Sequence, residues 1–337
     1  DANSEGELYR AFKTNVDPSK IILTGVGKTK NEIKLGLERN VLMIKAESEE
    51  EIVLINKIAG EMNKLARVAI RVNPDVDAKT HPYISTGLLS NKFGVDSRTA
   101  LSIYKRRNDF AHIQFTGIDM HIGSQITSID PFVEAVQKLS ELYFELKADG
   151  LSLKHFDVGG GIGVSYDGEN SFTIAEFAEK TIPLFKKLDC EIIFEPGRYF
   201  TANGGILVTE VLYDKKNRDK NFVIVDAAMN DMLRPTIYQA YHHIQPIQKI
   251  SDRNNIIADI VGPVCETGDY FARDREIAET KLGEFLAIMS AGAYGIVMSS
   301  NYNGRRRPPE ILVDRDKYYM IRSRETFDHL IWDENLV

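Results

Sequence analysis

The sequence predicts an α/β chain, with a parallel sheet and its covering helices first and a mostly antiparallel β domain after it. Short apolar runs alternate with amphipathic stretches from residue 1 to about residue 200. This alternation is typical of βα units, whose strands pair in parallel. After Arg198 strand-like runs follow one another, and DMLRPTIYQAYH (231–242) is the main helical stretch between them. We therefore expect two domains, residues 1–202 and residues 203–337.

The predicted strands of the first domain also suggest how its sheet closes. They are seven apolar runs, at residues 1–4, 21–25, 41–48, 66–74, 115–125, 155–161 and 191–200. The stretches between them have apolar residues at helical spacing, as in Phe132, Val136, Leu139 and Leu142. A closed (β/α)8 barrel has eight strands and carries its chemistry at their carboxyl ends. The count therefore predicts a (β/α)8 barrel that lacks its first strand.

The sequence also predicts the strands of the second domain and a long insertion in the first domain. The predicted strands of the second domain are VLYDKK, NFVIVDA, NIIADIVGP, EFLAIMSAG and EILVDRDKYYMIRSRE. In the first domain, residues 71–96 form a longer connection than a βα unit needs. Long loops in compact domains are often functional, so we expect this insertion to contribute to a site.

Composition and charge exclude several classes of protein. The net charge of −7 argues against a nucleic-acid partner, since phosphate binding needs clustered Lys and Arg. The two cysteines, Cys190 and Cys265, are far apart in the sequence, which excludes a disulfide framework and a cysteine-rich zinc site. No apolar run approaches the length of a membrane span, and no signal peptide is recognised. We therefore expect a cytoplasmic protein without a membrane partner.

Three familiar catalytic motifs are incomplete or absent. GVGKT (25–29) ends like a Walker A loop, but Ile22 stands where that loop needs its first glycine. The histidines form no HExxH motif, and no other pattern supports a metal site. There is also no GxSxG nucleophile elbow. These motifs therefore give no support for nucleotide hydrolysis, zinc hydrolysis or serine hydrolysis.

The glycine-rich segment FDVGGGIGVSY (156–166) is the most unusual local feature of the first domain. Glycine is favoured where φ must be positive or where a ligand approaches the backbone. A strand-to-helix turn without side chains exposes N–H groups that suit a phosphate. The alternative is a tight turn with close strand–helix packing, and the segment alone does not separate the two. A dinucleotide GxGxxG motif is excluded, because Tyr166 stands at the last glycine position.

Two other strand ends carry residues that suit the same ligand as the glycine segment. His121 follows one strand, although a single histidine there is more often structural. Glu195 lies in FEPGR, where a buried carboxylate is costly unless it is paired. The three strand ends together suit a flat, phosphorylated cofactor with a ring nitrogen, as in pyridoxal 5'-phosphate. His121 would stack on the ring, Gly161 and Gly163 would hold the phosphate, and Glu195 would keep the ring nitrogen protonated.

A series of motifs along the chain closely resembles those of one known family. They are GVGKT, RVNPDVDAKTHPYISTG, HIGSQ, FDVGGGIGVSY, EPGR, MNDMLRPTIYQAYH, GPVCETGDYF and AGAYG. In this order they are similar to bacterial diaminopimelate decarboxylases, which belong to the alanine-racemase-like and ornithine-decarboxylase-like group of fold type III pyridoxal phosphate enzymes. The resemblance implies a (β/α)8 barrel plus a β domain, and a homodimer with shared active sites.

The resemblance also implies an activity, the decarboxylation of meso-2,6-diaminopimelate to L-lysine and CO2. Two alternatives stay open on the sequence. One is a related decarboxylase that acts on another basic amino acid, such as ornithine or arginine. The other is a non-catalytic binding relative, which would apply if the lysine that forms the Schiff base were truly absent.

The resemblance assigns site residues segment by segment. The residues implied in cofactor binding are His121, Ser124, Gly161, Gly163, Glu195, Gly197, Arg198 and Tyr294. The residues implied in substrate binding are Arg198, Arg234, Tyr238, Glu266 and Tyr294. Cys265 would be a proton donor or gate that acts, with Glu266, in the partner subunit's site. His121, Glu195 and Cys265 are thus the predicted catalytic residues.

One departure from the family pattern concerns the lysine of the Schiff base. In the family this lysine lies on the first barrel strand, in a YAxKAN-like segment, and nothing in this sequence matches it. We expect the missing strand and its lysine to lie upstream of Asp1. Lys45 lies in the middle of VLMIKAES, where relatives usually carry another polar residue. It is the one substitute considered, and it is not favoured.

Overall fold

The structure is a computed structural model that describes residues 1–78, 80–81, 84, 86–88, 91–168, 171–248 and 252–335. The chain forms two compact units. The first unit comprises Asp1–Gly163 and Asn170–Gly197, and the second comprises Val164–Glu169 and Arg198–Val337. Part of the predicted insertion at 71–96 lies outside the described residues.

The described strands, in chain order, are β1 (Ile22–Leu23), β2 (Met43–Ala46), β3 (Ala66–Asn73), β4 (Val95–Asp96), β5 (Ile113–Asp119), β6 (His155–Asp157), β7 (Glu191–Ile193), β8 (Leu207–Asn217), β9 (Lys220–Val225), β10 (Ile244–Pro246), β11 (Asn255–Val261), β12 (Tyr270–Ala278), β13 (Phe285–Ile288), β14 (Glu310–Asp314) and β15 (Lys317–Arg322). The described α-helices are α1 (Glu5–Lys13), α2 (Lys30–Arg39), α3 (Glu49–Glu61), α4 (Ser97–Lys105), α5 (Asp130–Ala148), α6 (Ile174–Phe185), α7 (Gly197–Thr201), α8 (Arg234–Tyr238) and α9 (Phe327–Ile331). Strands β1 to β7 lie in the first unit, and β8 to β15 lie in the second.

The first unit has the predicted parallel sheet. Its strand order is β1-β2-β3-β5-β6-β7, with β4 paired to β3, and these pairs are parallel. Ala2 adds one parallel bridge to Leu23, which is all that forms of the strand expected at residues 1–4. Helices α2, α3, α4, α5 and α6 follow β1, β2, β4, β5 and β6, as the alternating sequence pattern requires.

The helices of the first unit start and pack where the sequence favours it. Thr29 and Thr173 each form a capping box with the glutamate three residues later, which satisfies backbone N–H groups at the start of α2 and α6. Helix α5 buries Phe132, Val136, Leu139 and Leu142, which confirms the predicted apolar face. Its apolar side chains join the main core between helices and sheet.

Several predicted strands are shorter in the structure because their polar ends form loops. The run at 115–125 ends as a strand at Asp119, and the run at 155–161 ends at Asp157. The run at 191–200 ends at Ile193, and helix α7 begins at Gly197. Proline has no N–H group for a strand ladder, so Pro196 ends this run. The shorter strands leave their polar and glycine residues in loops at the carboxyl edge of the sheet.

The second unit has the predicted mostly antiparallel sheet. Its strand order is β10-β13-β8-β9-β11-β12, and only the β9–β11 pair is parallel. Strands β14 and β15 form a separate antiparallel hairpin. Within the stretch predicted to be helical at 231–242, only α8 is an α-helix.

The described residues lack two features, a membrane-spanning helix and a metal-binding cluster. None of their helices combines the length and apolar character needed to cross a membrane. They also contain no group of three or more His, Cys, Asp or Glu residues suited to hold a metal ion.

Candidate active site

Lys45 lies at the centre of a buried charge cluster in the first unit. Its Nζ is 2.8 Å from Asp119 Oδ1, 2.8 Å from Asp157 Oδ2 and 2.6 Å from Glu195 Oε1. The side chains of Lys45, Asp119 and Asp157 are at most 3% exposed, and that of Glu195 is 13% exposed. We call these four residues the Lys45 cluster.

The Lys45 cluster requires a strongly curved sheet. Lys45 lies on β2, whereas Glu195 follows β7, four strands along the sheet order. Neighbouring strands are about 4.8 Å apart, so a flat sheet would separate these two strands by about 19 Å. Contact at 2.6 Å therefore means that the sheet curls around its inner face. This curvature is the geometry of a parallel barrel.

Burial and charge act in opposite directions in this cluster. Burial is the main influence on the Glu195 carboxyl and raises its pKa to about 7, although Lys45 opposes the shift. Burial likewise raises the pKa of Asp157 above its ordinary value, again against Lys45. Burial alone would lower the pKa of Lys45, but the three carboxylates, Asp119 first, raise it above its ordinary value. Lys45 is therefore an ammonium ion that holds carboxylates in a dry site.

His121 lies beside the cluster as a neutral imidazole. Burial, followed by the positive charges of Arg71 and Lys45, lowers its pKa to about 3. Its Nδ1 accepts the Gly160 N–H at 3.0 Å, which leaves the ring proton on Nε2. The hydrogen bond fixes the ring against the glycine segment, as a stacking residue requires.

The first three glycines of the segment allow loops to pack closely. Gly159 and Gly161 have positive φ, +71° and +104°, which favours glycine. A Cβ on Gly160 would lie 2.2 Å from Glu195 O, and one on Gly161 would lie 2.3 Å from Gly123 O. Close packing therefore accounts for glycine at these positions, and a phosphate-binding role for the segment stays a prediction. Gly197 differs, since a Cβ there would meet no atom within 4 Å, and this open space suits a phosphate cradle.

The predicted insertion contributes contacts to the loop after β5. Thr86 Oγ1 donates to His121 O at 2.7 Å, and Ser124 N–H donates to Ile84 O at 3.0 Å. Gly163 N–H donates to Ile126 O at 3.0 Å. These bonds hold the loop that carries both His121 and Ser124.

The second unit holds a separate group around Tyr166, which we call the arginine cluster: Tyr166, Arg198, Arg234, His242 and Tyr294. Arg198 Nη1 donates to Tyr166 Oη at 2.8 Å, and its guanidinium lies 4.8 Å from the centre of the Tyr294 ring. The Arg234 guanidinium lies 4.6 Å from the centre of the Tyr166 ring. Both arginines are buried. Aromatic faces stabilise these cations where water is excluded.

Arg234 is bonded within this cluster through one end of its guanidinium group. Its Nη1 donates to His242 Nε2 at 2.7 Å. Its Nε–H is buried without a hydrogen-bond partner among the described residues. Burial lowers its pKa, against the influence of Tyr166 and Tyr238. A buried guanidinium with an unused N–H group suits a carboxylate ligand.

Three further predicted site residues, Tyr294, Cys265 and Glu266, lie in the second unit. Tyr294 has a φ of +56°, an uncommon conformation for a residue with a bulky side chain. Cys265 is exposed, and its N–H donates to Asn303 Oδ1 at 3.0 Å. Glu266 is exposed and hydrogen-bonds to Tyr302, whose pKa it raises.

The chain is similar to known proteins along nearly its whole length. Residues 1–202 match the model of the pyridoxal-dependent decarboxylase family, pyridoxal binding domain. The chain is 47% identical over 332 residues to the diaminopimelate decarboxylase of Aquifex aeolicus, covering 98% of this chain and 79% of the relative. It is 48% identical over 331 residues to that of Haemophilus influenzae, covering 98% and 80%. The chain belongs to the diaminopimelate decarboxylase family.

A solved structure of this family has the same fold. The crystal structure of diaminopimelate decarboxylase from Helicobacter pylori complexed with L-lysine matches with a TM-score of 0.94 and 43% identity, over 98% of this chain and 82% of that chain. The predicted family, fold class and pyridoxal phosphate cofactor are thereby confirmed.

For a chain of the diaminopimelate decarboxylase family, the structure divides the predicted site residues into two groups. The first unit brings together His121, Glu195 and the glycine segment. The second brings together Arg198, Arg234 and Tyr294 around Tyr166. The described contacts of Cys265 and Glu266 are with Asn303 and Tyr302, and thus do not join them to the arginine cluster.

Sequence reasoning gave no site role to five members of these clusters. Lys45, Asp119 and Asp157 were visible as charged residues within apolar strands, which is a signal for a buried ion pair. Tyr166 and His242 had no such signal, because aromatic residues and histidine are common both in cores and on surfaces.

Proposed function

We propose that this protein decarboxylates meso-2,6-diaminopimelate to L-lysine and CO2, the last step of lysine biosynthesis, with pyridoxal 5'-phosphate as cofactor. The observation that carries the proposal is the buried Arg234, whose Nε–H has no partner among the described residues. Diaminopimelate carries a second carboxylate at the end that does not react. A related enzyme, that of Helicobacter pylori, has been crystallised with L-lysine.

The cofactor supplies an electron sink for the electron pair released when the bond between Cα and the carboxyl group breaks. Glu195 would face the ring nitrogen and hold a proton there, which requires an ionised carboxylate. His121, neutral and fixed by Gly160 N–H, would stack on the ring. The segments of Ser124, Gly161, Gly163, Gly197 and Tyr294 would hold the phosphate, and Arg198 would add a positive charge to them.

Arg234 would read the distal carboxylate of the substrate, together with Arg198 and Tyr238. A guanidinium pairs with a carboxylate through two parallel hydrogen bonds, which fixes both position and orientation. An ornithine or arginine side chain offers a cation at this end instead. It would leave Arg234 desolvated against a like charge, so the same site disfavours those substrates. Tyr294 would contact the substrate as well as the cofactor.

We also propose a homodimer in which Cys265 and Glu266 act in the partner's site. Cys265 would return a proton or gate the site, and Glu266 would bind the distal ammonium group. Both residues are exposed in the single chain, as such a role requires. The β14–β15 hairpin supports a partner, because Val313 is 68% and Tyr318 is 78% exposed. Two-stranded hairpins with exposed apolar residues usually need a covering surface.

The domain limits and the location of the protein belong to the same proposal. Residues 1–202 would be the cofactor-binding domain, and residues 203–337 would carry the specificity and dimer-contact segments. A cytoplasmic location fits the two free cysteines, because disulfides are rare in reducing compartments.

The experiment is a substrate comparison with the purified protein and added pyridoxal phosphate. CO2 release and lysine formation from meso-diaminopimelate should be equal in amount. Ornithine and arginine should react at least about a hundredfold more slowly, since Arg234 disfavours a distal cation. Faster turnover of ornithine or arginine would favour the alternative decarboxylase. Binding of cofactor without turnover of any of the three would favour a non-catalytic relative.

A further inference from the structure

Lys45 has no role in the function proposed above, yet its buried ammonium forms ion pairs with three carboxylates. Its ammonium contacts carboxylates of Asp119 on β5, Asp157 on β6 and Glu195 after β7. Of the four residues in the cluster, only Glu195 has a proposed role toward the cofactor. Lys45, Asp119 and Asp157 are buried ions, and their desolvation is unfavourable. Apolar side chains would therefore stabilise a purely structural core better.

The contact with Glu195 is arranged in a way that leaves the carboxylate usable. Lys45 Nζ donates to Glu195 Oε1 at 2.6 Å. The described contact therefore involves one carboxylate oxygen, and Oε2 can accept a proton from a ring nitrogen. The backbone holds the residue as well, because Glu195 N–H donates to Gly159 O at 2.9 Å.

The charges around Glu195 come from several elements and do not act in the same direction. Asp157 and Asp119 favour its protonated form, and Lys45 favours its ionised form. His121 is neutral, and Arg71 on β3 is held by Glu47 at 3.0 Å. Lys45 is thus the only cation in direct contact with the Glu195 carboxylate among the described residues.

The geometry argues against Lys45 as the lysine that bonds to the cofactor. An amine attacks an aldehyde through its lone pair, so it must first lose a proton. The Lys45 ammonium instead lies within 2.8 Å of an oxygen of each of three carboxylates, which favours retention of that proton. A charge-holding role agrees with these contacts, and a nucleophilic role does not.

We propose that Lys45 is a positioning residue that holds the Glu195 carboxylate ionised and directed toward the ring nitrogen of pyridoxal phosphate. This inference rests on the proposed function of Glu195. Asp119 and Asp157 each contact the same ammonium group at 2.8 Å and thereby hold Lys45 in place. The site thus keeps its own cation, which favours the ionised form of Glu195 against burial and the two aspartates.

The first test compares Lys45→Met with Lys45→Arg in the cofactor-loaded protein. Lys45→Met should lower kcat for diaminopimelate at least about tenfold, with KM within about twofold, because Arg234 and the other substrate-binding residues are untouched. The acid limb of the pH profile of kcat/KM should move to higher pH, since Glu195 loses its cation. Lys45→Arg keeps the charge and should restore most of kcat.

The second test uses Asp119→Asn, which removes a negative charge near Glu195 and keeps the shape of the side chain. The acid limb should move to lower pH, opposite to its movement in Lys45→Met. A structural defect alone would not produce shifts of opposite sign. Unchanged profiles in both variants would overturn the proposal, as would borohydride reduction that attaches the cofactor to Lys45 in peptide mapping.

The third test does not depend on activity. In the cofactor-free protein, Glu195 takes up a proton near pH 7, whereas an unperturbed glutamate does so near 4.5. The folded state therefore loses stability as pH rises from 4.5 to about 7. In Lys45→Met the pKa of Glu195 should be higher still, so the loss of stability should continue above pH 7. The melting temperature of Lys45→Met should fall further below that of the parent at pH 8 than at pH 5. An equal difference at both pH values would overturn the charge role, even if the parent protein proved inactive on diaminopimelate.

Discussion

The Lys45 cluster and the arginine cluster differ in the sign of their surplus charge. The Lys45 cluster surrounds one cation with three carboxylates and therefore has surplus negative charge. In the arginine cluster, the described partners of Arg234 are the uncharged His242 and the Tyr166 ring. A region rich in carboxylates suits a protonated ring nitrogen, and a region built on guanidinium groups suits a carboxylate. The difference in charge balance therefore supports the proposed assignment of the Lys45 cluster to the cofactor and of the arginine cluster to the substrate.

The largest expected effect is the loss of the cation in the arginine cluster. Arg234→Gln should lower kcat/KM for diaminopimelate about a thousandfold, because a buried charge-assisted bidentate contact is worth about 4 kcal/mol. Arg273→Gln is the matched control, since Arg273 is an exposed arginine over the Tyr270 ring in the same unit. Steady-state kinetics of both variants check this, and equal losses in the two would contradict the specific role of Arg234.

The next largest effect should come from the carboxylate of the Lys45 cluster. Glu195→Gln should lower kcat about a hundredfold with little change in KM, because an amide cannot hold the ring nitrogen protonated. Glu191→Gln is a suitable control, since Glu191 is on the same strand–loop segment but its side chain is 82% exposed. A kcat within twofold of the parent would show that the negative charge of this region serves some other purpose.

Much of the fold could be predicted, because the signals are local. The alternation of strands and helices predicted the parallel sheet, and helical spacing predicted the buried face of α5. Strand ends were predicted less well, because residues 120–125 and 158–161 follow the strands in sequence but lie outside them in the structure. Hydrogen bonding between distant strands decides those ends, and the sequence does not contain it directly.

The site was predictable where a residue type has few uses, and not elsewhere. Glu195 before Pro196-Gly197 and the run of glycines were both unusual enough to identify. The role of Lys45 depends on the curvature that brings β2 to within reach of the loop after β7, and no local pattern encodes that curvature. Sequence alone placed Lys45 in a strand and could not show which charges it meets.

A smaller effect tests whether His242 orients Arg234. Met289 O can only accept a hydrogen bond, so His242 Nδ1 at 2.8 Å carries the proton and Nε2 is free to accept from Arg234. His242→Phe should raise KM about thirtyfold, about 2 kcal/mol, with kcat within a fewfold. His242→Gln can still accept from Arg234 and should restore much of the affinity. A change in kcat alone would contradict a role in substrate binding.

The smallest effect, in pH-dependent stability, should have opposite signs in the two regions. Burial lowers the pKa of His242 to about 4 from an ordinary 6.5, so the unfolded chain takes up its proton first as pH falls. Stability due to this histidine is therefore lost as pH falls from 6.5 toward 4, by about 1 to 2 kcal/mol between pH 7 and pH 5.

Glu195 acts in the opposite sense, because its folded pKa of about 7 lies above the ordinary 4.5 and stability is lost as pH rises. Thermal unfolding at pH 5 and pH 7 can separate the two contributions. The advantage of the parent protein over His242→Gln should grow with pH, while its advantage over Glu195→Gln should shrink. Differences of the same sign would mean that the two clusters do not carry opposite charge surpluses, and the assignment of cofactor and substrate ends from charge would lose its basis.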